Sequence, residues 1–190
     1  VKFHTFSPYQ SAVIYDDRSV TVTTIPLKHR AQSVGFLFEE KAMERHLVRS
    51  MVESYDIPLR LLKGIKNGDD YVTPDGELVP NERLTTPPTP PRRFAYCSDT
   101  AYSEKIVELI RGVDCLYHET TFLSEDMVRA KQTLHSTAAQ AAQIAHAAEV
   151  GKLIIGHYSA RYRQITPFLE EAKAIFPNTV GATDGAHFDI

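Results

Sequence analysis

From Arg93 onward the sequence alternates between short apolar runs and helix-like stretches, and this alternation constrains the fold more than any other feature. Residues 94–97, 113–117 and 153–155 are apolar runs whose length is typical of buried strands. Helix-like stretches separate these runs, so the chain is predicted to have an α/β fold in which helices cover a sheet.

The helices are predicted from their start and stop signals. One extends over residues 103–111 and ends at a glycine. A second covers residues 137–150, where the first residue and Gln140 have the spacing of a capping box. The last covers residues 166–176, with a proline in its first turn and another directly after it. A terminal strand is predicted over residues 187–190.

The N-terminal part predicts two strands followed by a helix. Residues 19–25 alternate between apolar and polar side chains, as a half-buried strand does. Residues 35–38 form a second short apolar run. Residues 39–51 place Met and Leu at helical spacing with charges between them, which predicts a surface helix.

Residues 56–91 have a different texture, because proline and glycine interrupt every periodic pattern. Asp75 and Gly76 lie between residues 71–72 and 78–79 and predict a small hairpin. The stretch is too long for an ordinary connection, so we expect either a functional arm or partial disorder.

Composition excludes several classes of protein. The 190 residues carry a formal net charge of −3, which is unlike a strongly basic nucleic-acid binder, so a polyanionic partner must contact a local patch. Two cysteines are too few for a disulfide scaffold. No apolar run approaches the roughly 20 residues that span a bilayer, and the start lacks the layout of a signal peptide. A soluble, cytoplasmic protein without a membrane partner is expected.

Polar side chains with catalytic potential follow four predicted strands. They are His29, Asp99, the His118-Glu119 pair and His157. In open α/β sheets, ligands bind at the carboxyl ends of strands, so these side chains are expected to converge. Imidazole and carboxylate ligands suit zinc or manganese, although the spacing between them is too wide to form a local motif.

Simpler interpretations stay open for each residue taken alone. A histidine after a strand is more often hydrogen-bonded to backbone, which applies to His29. Asp99 has the setting of a helix cap, and His135 that of a bystander beside a cap. The His118-Glu119 pair has the pattern of an exposed polar turn.

At these residues the sequence resembles the ribonuclease Z family of the metallo-β-lactamase superfamily. Small departures are Ser98 and Thr120, where that family often has Gly and Ala. The matching segments are Pro-Leu-Lys-His ending at His29 with Gly35-Phe36 after it, Tyr-Cys-Ser-Asp-Thr around Asp99, His-Glu-Thr-Thr-Phe from His118, His-Ser-Thr-Ala from His135, and Gly-His-Tyr-Ser-Ala-Arg-Tyr from Gly156.

The resemblance implies a fold and a site. The fold is the αββα sandwich, of which residues 1–190 are the second half, a mixed sheet with helices on one face. The complete site holds two zinc ions, with His29 on one, His157 on the other and Asp99 on both. The remaining roles are proton transfer or phosphate stabilisation for His135 and Glu119, and phosphate binding for Ser159, Arg161 and Tyr162.

The implied activity is zinc-dependent removal of the 3′ trailer from precursor tRNA. Residues 41–91 lie where the family carries an arm that grips tRNA, and Lys63 and Lys66 are candidate phosphate contacts there. Interleaved acidic residues leave a solvated mixed-charge surface as the alternative for this segment. The implied partner is precursor tRNA and not DNA.

A larger departure from the family than Ser98 and Thr120 is the absence of the superfamily's His-x-His-x-Asp-His motif. The chain therefore corresponds to a C-terminal half, and it is expected to bind zinc poorly, to be inactive alone and to form a homodimer through apolar surface. Two other functions stay open. One is a non-catalytic RNA-binding module, and the other is a different phosphodiesterase or hydrolase of the same superfamily.

Overall fold

The computed structural model describes residues 3–190. The strands are β1 (Val13–Asp16), β2 (Val20–Pro26), β3 (Val34–Glu40), β4 (His46–Leu47), β5 (Tyr71–Val72), β6 (Leu78–Val79), β7 (Thr85–Thr86), β8 (Arg93–Cys97), β9 (Cys115–Glu119), β10 (Lys152–Gly156) and β11 (Thr179–Gly181). The helices are α1 (Arg49–Ser54), α2 (Leu62–Lys66), α3 (Asn81–Leu84), α4 (Met127–Thr133), α5 (Ala138–Ala147) and α6 (Thr166–Lys173). Single 3₁₀ turns occur at Leu59–Leu61, Glu104–Ile106 and Ser124–Asp126.

The chain forms two compact units. One runs up to Glu40 and resumes at Arg92, and the other is Lys41–Pro91. The first contains a seven-stranded sheet in the order β1-β2-β3-β8-β9-β10-β11. Strands β1 to β3 and β8 pair antiparallel, whereas β8 to β11 pair parallel. The predicted α/β class is therefore confirmed as a mixed sheet.

Helices α5 and α6 pack on one face of this sheet. Alternate strand residues point into that layer, and Leu37, Ala95, Leu116 and Ile155 are all buried there. The alanines of α5 permit close approach of the helix to the strands, and Phe168 of α6 is fully buried beside them. The core is continuous from the sheet into this helical layer.

The opposite face of the sheet carries aromatic side chains. Phe38 stacks on Phe94 with ring centroids 6.0 Å apart, and Tyr96 stacks on Tyr117 at 4.8 Å. Such cross-strand aromatic pairs stabilise a sheet. Phe38 and Tyr96 remain 37% and 36% exposed, so this face is less buried than the helix-covered one.

The capping box predicted for α5 is present. The Thr137 hydroxyl accepts from the Gln140 amide at 3.2 Å, and the Gln140 side chain accepts from the Thr137 amide at 3.1 Å. We expect Thr137→Ala to lower the free energy of unfolding by about 1 kcal/mol, because an amide of the first turn loses its acceptor. Urea denaturation measures this, with exposed Gln143→Ala as the control; equal effects from both variants would contradict the capping role.

Three predicted elements are wrong. Residues 39–51 do not form one helix, because β3 continues to Glu40 in register with β8, and α1 starts only at Arg49. Residues 103–111 contain a single 3₁₀ turn, Glu104–Ile106, rather than a helix, and the Val107 and Leu109 amides bond to the carbonyls three residues back. Residues 187–190 are exposed and irregular, and the strand that pairs with β10 is β11 instead.

The unit Lys41–Pro91 has its own small core, built around Ile65, Val79 and Leu84. The predicted hairpin is confirmed, because β5 pairs antiparallel with β6 and Gly76 has a φ of +87°, a value that glycine adopts without strain. Buried Asn81 donates to the Ile65 carbonyl at 2.7 Å and thereby ties α3 to α2.

Within residues 3–190, no helix has the length and apolarity needed to cross a membrane. The two cysteines, Cys97 and Cys115, are buried and free, and burial raises the pKa of the Cys97 thiol to about 12. Neither thiol is therefore poised as a nucleophile.

Candidate metal centre

Four strand ends bring the chemically active side chains to one edge of the sheet. His29 follows β2, Asp99 follows β8, Glu119 is the last residue of β9, and His157 follows β10. Strands β8, β9 and β10 are parallel, and two antiparallel steps give β2 the same direction as β8. All four carboxyl ends therefore lie at the same edge, as the strand-end argument predicts.

Asp99 lies between two imidazoles. Its Oδ2 is 4.0 Å from Nε2 of His29, and its Oδ1 is 3.4 Å from Nε2 of His157. Each oxygen of the carboxylate thus faces a different histidine. The side chain is only 33% exposed. This geometry suits a carboxylate that is shared between two cations.

In His29, the hydrogen-bond partner of Nδ1 determines which ring nitrogen carries the proton. Nδ1 of His29 is 2.9 Å from the carbonyl of Leu134, which can only accept, so Nδ1 carries the hydrogen. Nε2 of His29 therefore presents a lone pair on the side of Asp99. Leu134 holds this carbonyl in place from a left-handed conformation, with φ of +59°.

His157 is oriented through Thr121. The Thr121 hydroxyl is 2.8 Å from Oε2 of Glu119 and 2.9 Å from Nδ1 of His157. Because an ionised carboxylate only accepts, the hydroxyl donates to Glu119 and accepts from His157. Nε2 of His157 is then left as a lone pair facing Asp99. Such outer partners fix the tautomer and ring orientation of metal-ligating histidines.

Glu119 is fully buried and anchors this network. Oε1 accepts from Nδ1 of His135 at 2.9 Å and from the amides of Ser136 and Thr100 at 2.9 and 3.1 Å. Oε2 accepts from the amide and the hydroxyl of Thr121, both at 2.8 Å. Burial by itself raises the pKa of Glu119, but these hydrogen bonds, led by that from His135, bring it below its ordinary value. The carboxylate is therefore ionised at neutral pH.

His135 lies between the two other imidazoles, with its ring centroid 4.8 Å from that of His29 and 5.4 Å from that of His157. Its hydrogen bond to Glu119 raises the pKa of His135, against the effect of burial. Candidate ligand atoms of His29, Asp99 and His135 lie within 4.8 Å of one another, and so do those of Glu119, His135 and His157.

The simpler interpretations of these residues do not describe the structure fully. His29 does bond to backbone, but through one nitrogen only. Asp99 caps no helix, because the nearest helical turn is preceded by Ser103. His118 and Glu119 are 1% and 0% exposed, so they are not a polar surface turn. Burial lowers the pKa of His118, whose Nδ1 is 2.8 Å from the Glu119 carbonyl.

The residues predicted to bind phosphate lie near the same edge but are engaged within the protein. The Ser159 amide donates to the Thr121 carbonyl at 3.1 Å. Arg161 forms an ion pair with Asp126 at 3.2 Å, and the Tyr162 hydroxyl also donates to Asp126. Arg161 is thus partly neutralised as it stands.

Lys63 and Lys66, the other predicted phosphate contacts, belong to α2 of the unit Lys41–Pro91. Lys63 is exposed, and Nζ of Lys66 is 3.5 Å from a carboxylate oxygen of Glu44. Pairs of this kind on a surface are weak and leave the lysine available to an anion.

Sequence reasoning assigned no role to Thr121 or Leu134. Thr121 lies inside a matched motif, but a threonine that relays hydrogen bonds has no spacing signature. Leu134 contributes only its carbonyl, which any residue type supplies. The positive φ at Leu134 and at His157 is likewise not marked in the sequence, because neither position carries the glycine that usually signals it.

Comparison with known proteins identifies relatives of the chain. Residues 84–158 match the family described as "Beta-lactamase superfamily domain". A protein named ribonuclease Z from Bacteroides thetaiotaomicron is 57% identical over 184 residues, which cover 97% of this chain and 58% of that protein. The ribonuclease Z of Parabacteroides distasonis is 49% identical over 190 residues, covering 100% of this chain and 62% of that protein.

Solved structures show the same fold. The short form of human tRNase Z matches with a TM-score of 0.50 at 23% identity, covering 80% of this chain and 40% of that one. The metallo-β-lactamase fold protein YhfI of Bacillus subtilis matches with a TM-score of 0.55 at 15% identity, covering 93% and 50%.

The mixed sheet with helices on one face is therefore part of a metallo-β-lactamase αββα sandwich. The chain spans about three fifths of the length of the relatives it matches, from 58% to 62%. Its identity to those relatives extends over nearly all of its own residues. Over nearly all of its length the chain is similar to proteins named ribonuclease Z, which confirms the family resemblance carried by its motifs.

Proposed function

We propose that this chain supplies His29, Asp99 and His157 to the two-zinc centre of an endoribonuclease that removes the 3′ trailer from precursor tRNA. The observation that carries the proposal is the position of Asp99, whose two oxygens face the Nε2 atoms of different histidines. The names of the relatives, ribonuclease Z and tRNase Z, support the choice of RNA over other phosphodiesters.

The donor set fits zinc. Zinc binds neutral imidazole nitrogen and carboxylate oxygen, and both histidines present an unprotonated Nε2 because Nδ1 is occupied by Leu134 or Thr121. When bound, a pair of zinc ions supplies Lewis acidity at the scissile phosphate and lowers the pKa of water.

The remaining work falls to His135 and Glu119. The ionised, buried Glu119 holds the Nδ1 proton of His135 and raises the pKa of that imidazole. A protonated His135 is then able to deliver the proton on Nε2 to the departing ribose oxygen. Glu119 acts as a positioning residue here, because it contacts His135 and not the RNA.

RNA binding is proposed to use two regions. Ser159, Arg161 and Tyr162 lie near the centre, where Arg161 can exchange its partner Asp126 for a phosphate. The unit Lys41–Pro91 is proposed to contact tRNA through Lys63 and Lys66.

The oligomeric state and the location are also proposed. The predicted homodimer is tested by sedimentation of the purified chain. The cytoplasm is the proposed location because tRNA is processed there.

The function is tested with a chimera. The 190-residue chain has no His-x-His-x-Asp-His motif, so alone it is expected to leave precursor tRNA uncut. We expect cleavage when the chain replaces the matching segment of the Bacteroides thetaiotaomicron relative, to which it is 57% identical. A folded, zinc-loaded chimera that leaves precursor tRNA intact would refute the proposal. Cleavage by the chain alone would refute the expectation that the absent motif is required for activity.

Thr121→Val tests the orientation of His157. Valine has the shape of threonine but removes the hydroxyl that accepts from His157 Nδ1 and donates to Glu119. Zinc affinity of the chimera is expected to fall by about 10- to 100-fold, the usual effect of losing an outer partner of a ligating histidine. Competition with a fluorescent chelator measures it. Thr121→Ser keeps the hydroxyl and should bind zinc nearly as the wild type does; equal losses in both variants would count against the relay.

A further inference from the structure

A cavity of about 530 Å³ lies directly beside His29 and is not used by the chemistry described above. The residues that line it include apolar Leu109, the aromatic residues Tyr9 and Tyr102, and the basic residues Lys28 and Lys105. His29, which also faces Asp99 in the candidate metal centre, is one of the residues that line the cavity. Rings, cations and an apolar wall together are the composition of a nucleotide site.

The two lysines are available to an anion. Both are exposed, and neither forms an ion pair within residues 3–190. The nearby Glu104 accepts a hydrogen bond from the Tyr102 hydroxyl at 2.9 Å. The cavity therefore presents two lysines without an ion-pair partner in residues 3–190, on a chain whose net charge is −3. A polyanion is attracted to such a patch despite the overall charge.

The two rings are held in place at their hydroxyl ends. The Tyr9 hydroxyl accepts from the Gln32 side chain at 3.1 Å, while Tyr102 is tied to Glu104. Tyr102 also packs against the main core. Tyr9 is 73% exposed and is therefore accessible to a ligand. Fixed aromatic rings beside cations bind single-stranded RNA by stacking, with little regard to sequence.

The cavity is also held in register with Asp99. The Lys28 amide donates to the Thr100 hydroxyl at 3.0 Å, and the Lys28 carbonyl accepts from the Ala101 amide at 2.8 Å. The loop that carries Lys28 and His29 is thereby fastened to the loop that carries Asp99. A ligand in the cavity thus has a fixed position relative to the carboxylate that faces both histidines.

We propose that this cavity binds one unpaired nucleotide of the RNA next to the scissile phosphodiester. The base stacks on Tyr9 and Tyr102, and the flanking phosphates contact Lys28 and Lys105. This inference rests on the proposed function for the position of the scissile bond, but the binding itself requires no metal and no cleavage. Its test therefore uses binding rather than activity.

The test measures binding of a fluorescein-labelled single-stranded RNA tetranucleotide to the 190-residue chain by anisotropy, in chelator and at several salt concentrations. Tyr102→Ala is expected to weaken binding about 5- to 10-fold, because one stacking contact is lost. Lys28→Ala with Lys105→Ala should reduce the salt slope by roughly 0.7 for each lysine.

The matched control removes two positive charges elsewhere, with Arg18→Ala and Lys173→Ala, both exposed. The proposal is overturned if the control weakens binding as much as the lysine pair does, if Tyr102→Ala binds normally while remaining folded by circular dichroism, or if the wild type does not bind the tetranucleotide. Failure of the proposed function has a different signature, because the chimera then fails to cleave while the cavity variants still lose RNA affinity.

Discussion

Asp99→Asn is expected to abolish zinc binding at both His29 and His157, and with it all cleavage by the chimera. Each oxygen of Asp99 faces a separate imidazole Nε2, so one substitution affects both metal positions. Loss of an outer partner lowers metal affinity by about 10- to 100-fold, and loss of a directly shared ligand should exceed that. Elemental analysis of the dialysed chimera and a precursor-tRNA cleavage assay measure the two effects.

The control for this prediction is Asp184→Asn, which removes the same charge from an exposed position. It should leave zinc content and cleavage unchanged. If the Asp99→Asn chimera retained two zinc ions per molecule and the wild-type rate, the carboxylate would not be a bridging ligand, and the proposed site would be wrong.

Glu119→Gln is expected to lower the free energy of unfolding by about 2–4 kcal/mol, a large effect for a nearly isosteric change. All five donors around Glu119 point at its two oxygens, and the carboxamide replaces one oxygen with an NH₂ group. One buried amide or hydroxyl donor then faces another donor. Urea denaturation of the 190-residue chain measures the loss.

The contribution of Glu119 to the free energy of unfolding depends on pH. The pKa of Glu119 lies below its ordinary value in the folded protein, so the ionised carboxylate stabilises the fold at neutral pH. That contribution is lost as the pH falls through the folded pKa, and the gap between wild type and Glu119→Gln should narrow there. Exposed Glu125→Gln is the control. A variant as stable as the wild type at pH 7 would show that the network around Glu119 contributes little.

Much of the fold is predictable because buried strands have continuous apolar sequences. The strands around residues 94–97, 113–117 and 153–155 are buried on the parallel side of the sheet and therefore read as apolar runs. The start of α5 is equally clear, since Thr137 and Gln140 form a local motif. These elements depend on neighbours in sequence or on uniform burial.

The wrongly predicted elements depend on contacts between residues that are distant in the sequence. Met43, Leu47 and Met51 have helical spacing, yet Met43 is 60% exposed, so their periodicity does not mark a buried face. Pairing of β3 with β8 extends the strand to Glu40, which depends on residues more than fifty positions away. The short helices within Lys41–Pro91 lie among prolines and glycines and depend on a small core that no local pattern reveals.

The site shows the same division. Spacing predicted only that polar side chains gather at strand ends, whereas the roles of His29, Asp99 and His157 came from the family resemblance. The contacts that orient them depend on Thr121 and on the carbonyl of Leu134. Such contacts arise from the tertiary fold, so no pattern of residues in the sequence predicts them.

The central claim is that Asp99 acts as a metal ligand together with both His29 and His157. It is tested most directly by nitrogen-15 spectra of the histidine side chains while the 190-residue chain is titrated with zinc. The Nε2 signals of His29 and His157 are expected to shift together, even at weak affinity, and Asp99→Asn is expected to remove both shifts. The claim would be contradicted by shifts confined to the exposed histidines outside the site, which are His4, His46, His146 and His187. It would also be contradicted if the shifts of His29 and His157 persisted in Asp99→Asn.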